Sequence, residues 1–536
     1  MSTWGERLRR DIKWVLQGGG ISLVAHLLLV VILAVIVIHS ERPWFLNTLE
    51  MGWIDEPAAR QPDLPPEPVR MTPFALPNTG AATTKTAERK PAATSSADPK
   101  PESLPPAPIA PVDVSGSLAN RSPRGRKAAL RSLAGDDAEP IERAISSGLA
   151  WLARQQQSDG RWQLHTGYPD AGRETLRTDT GATALALLAF LGDGHGHPGG
   201  EYHAQVSRGL EWLVHQQQAN GDLHDSTELG RQTAFYAHSQ ATIAICEAYA
   251  SSGDSTLQGA ARLAVDYLLR SQHPSRGGWK YLPQTELTTG DLSVTGWALM
   301  ALHTARMAGI EVPLEAYERS SKFLDTVQEY GGTRYKYMAG DPADRVTLPM
   351  TATGFLCRQW LGLPADEGRL QKAIPYFIRE ENRPRWEEGL RNVYAWYYIG
   401  QVLHNVGGEN WTNWYGEAQH EIVRAQTRLG SSRPGDDIRG SWHPLRPRGS
   451  EWEYAEHGGR LYLTAMSLLV LETPYRHRSL SDEKTAPSRG GCHVMRARRL
   501  LDRFEFVRRA EPAIGRLDPG KPEKRDRLQV QVALAG

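Results

Sequence analysis

The chain is poor in cysteine: Cys246, Cys357 and Cys492 are its three in 536 residues. The count is odd and no two lie close in sequence, which argues against a disulfide framework and against a paired-cysteine metal site. Cys246 and Cys357 fall in apolar helical runs and read as small buried hydrophobes. Net charge is equally scant, since 62 basic and 61 acidic residues leave +1 at pH 7. No global field therefore points to nucleic acid as a partner. Neither a metal nor another cofactor is expected.

One long apolar run stands apart. Ile21 to Ile38 is interrupted by Ser22 and His26 alone. With Gly18–Gly20 before it, the run is long enough for a hydrocarbon core of ~30 Å. Arg7, Arg9, Arg10 and Lys13 precede it, and Glu41 and Arg42 follow. The positive-inside rule then predicts a cytoplasmic N-terminus (1–20), a single-pass signal anchor (21–39) in the inner, cytoplasmic membrane, and the remainder outside the cytoplasm. A cleaved signal peptide is the alternative, but Val37-Ile38-His39-Ser40 offers no small-x-small site. Ser22 and His26, four apart, share one face of the anchor helix. An ionisable group at that depth needs either a partner or a route to the interface.

Proline is concentrated early. Fourteen prolines lie between Pro57 and Pro111, among Ala, Thr, Ser, Lys and Glu. Such composition predicts a disordered, semi-stiff linker over 40–135, reaching on the order of 150 Å at ~3.1 Å per residue. Its basic end, Arg121 to Arg131, reads as a solvated linker terminus.

From residue 136 to 478 the composition turns globular, and one phrase keeps returning. It is an aromatic–Leu pair, then Gln, then Gly-x-Trp. It reads Trp151-Leu152…Gln156…Gly160-Arg161-Trp162, then Trp212-Leu213…Gln217…Gly221-Asp222-Leu223, then Tyr267-Leu268…Gln272…Gly277-Gly278-Trp279. A degraded copy is Ile422…Gln426…Gly440-Ser441-Trp442. Each amphipathic helix carrying the phrase is followed by a more apolar one, giving six helix pairs at a spacing of ~50–60 residues. Helices apolar on nearly every side need partners all round. The prediction is an all-α (α/α)6 toroid of six helical hairpins, apolar helices inside. The tail, 479–536, is basic and broken by Gly and Pro, with an amphipathic helix expected over Val494–Ala510.

Polar groups near the starts of the inner helices become the candidate site. Asp179, Asp291 and His238 are the catalytic candidates. Arg177, Arg391, Tyr394, Tyr397, Tyr398, His457, Arg460 and Tyr462 are the candidate pocket residues. The Arg391–Tyr398 cluster has the mix of base and aromatic that a glycan or a lipid headgroup would use. Capping and hydrogen bonding between repeats is the competing role for each. A glycosidase would need two carboxyls about 5–10 Å apart, and Asp179 and Asp291 are candidates to meet across a ring.

The repeated phrase resembles the QW motif of the squalene cyclase and protein prenyltransferase superfamily, over about Ile141 to Glu472. The resemblance implies that the Gln and Trp side chains are scaffold. Cyclases of that group carry Asp-x-Asp-Asp-Thr-Ala; here Asp291-Leu292-Ser293-Val294-Thr295-Gly296 lacks both middle acids. The Asp-x-Cys zinc pattern of the prenyltransferases and the thioester signature of complement-like toroids are missing too. The anchor with its Ser22/His26 pair and proline-rich stalk resembles TonB-type energy transducers. That likeness implies a proton-driven ExbB/ExbD-like complex as partner, with a His snorkelling to the interface as the alternative. Two functions are therefore expected: a membrane-anchored, extracytoplasmic binding or scaffold toroid, or an enzyme acting on an isoprenoid lipid or a polysaccharide.

Overall fold

Two kinds of helix alternate along the folded chain. The computed structural model describes residues 117–165, 168, 176–224, 233–284, 288–340, 344–430 and 437–480. The anchor, the proline-rich stretch, Ser22, His26 and the helix expected over Val494–Ala510 lie outside them. Among the described residues no helix is long and apolar enough to cross a membrane.

Helix α1 (Pro123–Ala134) precedes six hairpins. They pair α2 (Ala138–Gln155) with α3 (Asp179–Gly192), α4 (His203–Gln216) with α5 (Thr233–Ser252), and α6 (Ser255–Ser271) with α7 (Leu292–Met307). The others are α8 (Leu314–Thr326) with α9 (Leu348–Trp360), α10 (Gly368–Ile378) with α11 (Val393–Val406), and α12 (Gly408–Ala425) with α13 (Ala455–Leu471). A single turn, α14 (Thr473–Arg476), follows. The first helix of each pair has one apolar stripe. In α2, Ile141, Ile145, Leu149 and Leu152 are buried while Arg143, Ser146 and Ser147 face solvent, as the helical period requires. The second helix is buried all round, and α3 is buried at every residue from Thr180 to Gly192.

That difference sorts the helices into layers. Helix α3 packs on α5, α5 on α7, α7 on α9, α9 on α11, α11 on α13, and α13 returns to α3. The six apolar helices close into an inner ring, and the amphipathic ones lie outside, with α12 reaching α2.

Gln, Gly and Trp side chains explain how neighbours are joined. Gln156 Nε2 donates to the Gly160 carbonyl of its own turn (2.8 Å) and to Gln205 of the next hairpin (2.9 Å). Gln217 does the same with Gly221 and Ala260, and Gln272 reaches Ala316. Gln426 bonds Gly440 (2.8 Å) and then Ala144 in α2 (2.7 Å), which joins the last hairpin to the first. The glycines serve the same contact. Gly160, Gly221, Gly277 and Gly440 all have positive φ, and a Cβ on them would strike the carbonyls of Arg208, Leu263, Arg319 and Ser147. Trp162, Trp279 and Trp442 are buried, each donating its indole N–H back to the outer helix, at Leu152, Leu268 and Ile422. Where the fourth hairpin lacks this tryptophan, a two-residue antiparallel ladder, β1 (Gln328–Glu329) with β2 (Arg334–Tyr335), brings Tyr335 to the same place.

The folded part begins earlier than expected. Ser122 caps α1 through Gly125 N–H and Pro123 opens it, a favourable start for a helix. Arg121 is buried rather than solvated, 6% exposed, paired with Glu247 near the C-terminal end of α5. Arg476 of α14 reaches the same carboxylate. This ionic cluster sits at the C-terminal end of the inner ring.

Candidate functional site

The opposite end of the ring, where the inner helices start, holds most of the polar chemistry. Asp291 is its centre. The Asp291 N–H donates to the Trp279 carbonyl (2.9 Å), and Leu292 N–H donates to Tyr337 (2.8 Å), so loops from two hairpins pin the residue. Its Oδ1 caps α7 by accepting from Val294 N–H (2.8 Å) and from Ser293 Oγ (2.8 Å). Its Oδ2 is sealed from solvent, and the Tyr337 side chain is a further hydrogen-bond partner of the carboxyl. Burial raises the carboxyl above the usual aspartate range, against the bonds from Val294 and Ser293 and the charge of Lys280.

Tyrosines surround this carboxyl. Tyr236 Oη bonds Ser293 Oγ at 2.5 Å, and Tyr281 Oη bonds Tyr337 Oη at 2.6 Å. Burial first, and then the Asp291 charge, push the hydroxyls of Tyr236, Tyr337 and Tyr454 up. Tyr236, Tyr337, Tyr454 and Tyr462 are part-exposed. Tyr394 and Tyr398 meet edge to face with ring centres 5.1 Å apart. Both are buried, and the two hydroxyls act on each other.

Several expected site residues serve the scaffold. His238 is fully buried: Nδ1 accepts from Leu223 N–H (3.1 Å) and Nε2 lies 3.2 Å from the Ala264 carbonyl. It stands where other hairpins place Thr183, Thr295, Thr351 and Thr464, whose hydroxyls accept from the N–H of Trp162, Trp279, Tyr335 and Trp442. It takes the place of threonine in the scaffold, and the Asp222 carboxylate lies 3.4 Å from its Nδ1. Arg391 is spent as well. It bonds both oxygens of Glu453 and the carbonyls of His443, Pro444 and Pro447. Arg460 is buried and donates to Ser441 Oγ (3.1 Å).

The remaining candidates are scattered. Asp179 opens α3, with Gln163 Nε2 on its Oδ2 (3.1 Å) and Arg161 at 3.4 Å. No hydrogen bond or ion pair joins it to Asp291 among the described residues. Arg177 is exposed. Tyr397 turns toward the other end, stacking on Trp297 and donating to Met300 Sδ (3.3 Å). Its burial-raised hydroxyl senses Arg476 and Glu247. Tyr462 Oη donates to the Glu453 carbonyl (3.0 Å), and the His457 ring lies 6.4 Å from that of Tyr454. Of the expected set, Asp179, Asp291, Tyr394, Tyr398, Tyr462 and His457 lie near inner-helix starts.

Residues 124–238 match the squalene-hopene cyclase C-terminal domain family. The matched stretch runs from α1 into α5, across the first hairpins of the closed ring. The toroid is squalene-cyclase-like. Solved structures of similar fold include the α-1,6-mannanase GH76A of Salegentibacter sp. HEL1_6, 13% identical with a TM-score of 0.44 over 62% of this chain and 99% of that one. Cellobiose 2-epimerase of Spirochaeta thermophila DSM 6192 is 15% identical, TM-score 0.43, over 63% and 97%. The type II terpene cyclase MstE of Scytonema is 14% identical, TM-score 0.40, over 63% and 97%. No curated protein sequence matches the chain.

This squalene-cyclase-like toroid also gathers residues that the repeat pattern did not single out. Tyr236 sits in the first turn of α5, while Tyr281, Tyr337, Glu451 and Tyr454 come from the loops that precede inner helices. The available signal was their position: each lies just inside an inner-helix start or on the loop that leads into one.

Proposed function

We propose that the toroid binds a neutral, many-hydroxyl ligand of the glycan class in its tyrosine-lined mouth. The carrying observation is the set of tyrosines gathered round Asp291 at the inner-helix starts: Tyr236, Tyr337 and Tyr454 feel its charge and stay part-exposed. Their hydroxyls can both donate to and accept from sugar hydroxyls. Tyrosine faces offer the flat apolar surface on which sugar C–H groups pack. An isoprenoid chain would leave those hydroxyls unpaired. In this reading the domain is held outside the cytoplasm by the apolar run Ile21–Ile38, with basic residues on its cytoplasmic side.

Calorimetry on the detergent-solubilised full chain tests it, using cello-, malto-, manno-, xylo- and chito-hexaose. Saturable binding of at least one is expected, weakened about tenfold in Tyr337→Phe and Tyr454→Phe, the equivalent of one lost hydrogen bond. No binding to any of the five would sink the reading. Protease protection of membrane vesicles tests the placement: the toroid should be digested from the extracytoplasmic side.

A further inference from the structure

We propose that the fourth and fifth hairpins carry a second binding site at their seam, for a phosphate group, formed by Arg334 and Arg379 on the two of them. It does not depend on the glycan reading. Arg334 opens β2, Tyr376 lies in the last turn of α10, and Arg379 follows that helix directly. The guanidinium carbon of Arg334 stands 4.0 Å from the centre of the Tyr376 ring, and that of Arg379 stands 4.6 Å from it. The two cations are therefore no farther apart than those distances laid end to end. A tyrosine face attracts a cation, and one arginine on it is enough to join the hairpins. The second sets a like charge beside the first, which the join itself does not require.

The carboxylates nearby leave this charge standing. Among the described residues Arg334 forms no ion pair, and its Nη1 donates to the Thr333 carbonyl (2.6 Å). Arg379 meets Glu381 at 3.7 Å, with the two side chains 50% and 70% exposed, and so open a contact contributes little. Arg369 borders the same ground, since a Cβ on Gly332 would lie 2.8 Å from its Cδ. Arg369 is matched by Glu367 at 3.1 Å, so the spare charge belongs to Arg334 and Arg379. Burial holds the Arg334 guanidinium below its ordinary value, and the Arg379 charge acts in the same direction, against Tyr376.

The loop that delivers Arg334 has a second unusual feature. Tyr330, Gly331 and Gly332 have φ of +52°, +65° and +81°, all in the left-handed region. Glycine enters that region freely and tyrosine rarely does. Tyr330 is held there with 73% of its surface exposed. Backbone strain on an exposed side chain serves contact with something outside the fold, because it serves no packing within it. Phosphate is the group that fits. Near pH 7 it carries about −1.5 to −2 charge and three strong acceptor oxygens, and guanidinium forks match its geometry. One carboxylate would offset only one of the two cations. A free phosphate and the headgroup of a phosphatidic acid present the same chemistry, and the test separates them.

Calorimetry on the detergent-solubilised full chain, in low salt, titrates inorganic phosphate and dihexanoyl phosphatidic acid in turn. Saturable binding of phosphate with a Kd of about 1 mM or tighter is expected, weakening as salt is added. Arg334→Gln and Arg379→Gln should each weaken it about tenfold, the loss of one charge-assisted contact. Arg424→Gln removes an exposed arginine from α12 and should leave binding within about twofold of wild type. Phosphatidic acid bound about tenfold tighter than phosphate, with the same dependence on Arg334 and Arg379, assigns a lipid headgroup; equal affinities assign a soluble phosphate. Binding of neither probe overturns the site. So does acetate binding as tightly as phosphate, or an equal loss in Arg424→Gln. The wild-type titrations, acetate included, decide the matter even if a variant does not fold.

Discussion

Arg121 Nη1 and Glu247 Oε2 lie 3.0 Å apart in the interior, 126 positions apart in sequence. Arg476 shares the carboxylate at 3.1 Å, and Arg121 Nε also donates to the Arg476 carbonyl at 2.7 Å. The segment leading in from the proline-rich stretch is thereby fastened to the ring's far end. Arg121→Ala should destabilise the domain by about 3 kcal/mol in urea unfolding, the low end for breaking a buried pair because Arg476 remains. A loss below about 0.5 kcal/mol would show that the fastening is idle.

The same cluster sets an acid limb. Burial alone would raise Glu247, but Arg121 and Arg476 outweigh it and hold the carboxyl below its ordinary 4.5. A depressed folded value means stability that is present above the unfolded value and lost as pH falls through the folded one. Unfolding followed from pH 6 down to pH 2 should therefore show a loss that Arg121→Ala reduces. An unchanged acid slope in the variant would contradict the pairing.

Asp291 has the opposite sign. Its folded value is raised, so stability is fullest below the ordinary 3.8 and declines as pH rises through the folded value. Asp291→Asn keeps the Oδ1 acceptor for Val294 and removes the titration. The variant should be more stable than wild type at pH 7 and no more stable at pH 3, measured by thermal melts at the two values. Equal melting-point differences at both would sink the assignment.

Tyr398 is fully buried, its hydroxyl beside that of Tyr394. Tyr398→Phe leaves the Tyr394 hydroxyl without that partner and should destabilise the protein by about 1 kcal/mol in urea unfolding. A stabilised variant would mean that the two hydroxyls do not bond.

For the anchor, Ser22 and His26 lie outside the described residues, and their pairing with an ExbB/ExbD-like complex is a proposal. A photo-crosslinker placed beside His26 should capture such a partner in the native membrane, and His26→Ala should abolish the product. Unchanged crosslinking in His26→Ala would end that reading.

The ring was legible in the sequence because its signals are local. Gln156, Gly160 and Trp162 lie within seven positions and their bonds stay within one hairpin and its neighbour. The fourth hairpin was faint because Tyr335 does the work of the missing tryptophan. His238 misled because a lone histidine near an inner-helix start looks reactive, and its role appears once the threonines at matching positions are seen with their N–H donors. Arg391 misled for a related reason: its partner, Glu453, is 62 positions away. Glu451 and Tyr337 went unmarked because they sit on loops, which carry no period. The packing of Arg121 into the domain was hidden too, since one buried arginine in a basic stretch leaves no pattern.

The bond from Gln426 to Ala144 has a consequence for how the domain comes apart. An open stack of repeats has two outermost members, held on one side only, and they fray first. Here the first hairpin is also the neighbour of the last, so no hairpin is outermost. Unravelling must break two seams at once before any helix is freed. The protein should melt as one cooperative unit, and slow amide exchange should be spread evenly round the inner helices. Severing the chain at an exposed turn such as Gly253, where a Cβ would meet nothing within 4 Å, should cost little, because both new ends stay clasped by their neighbours.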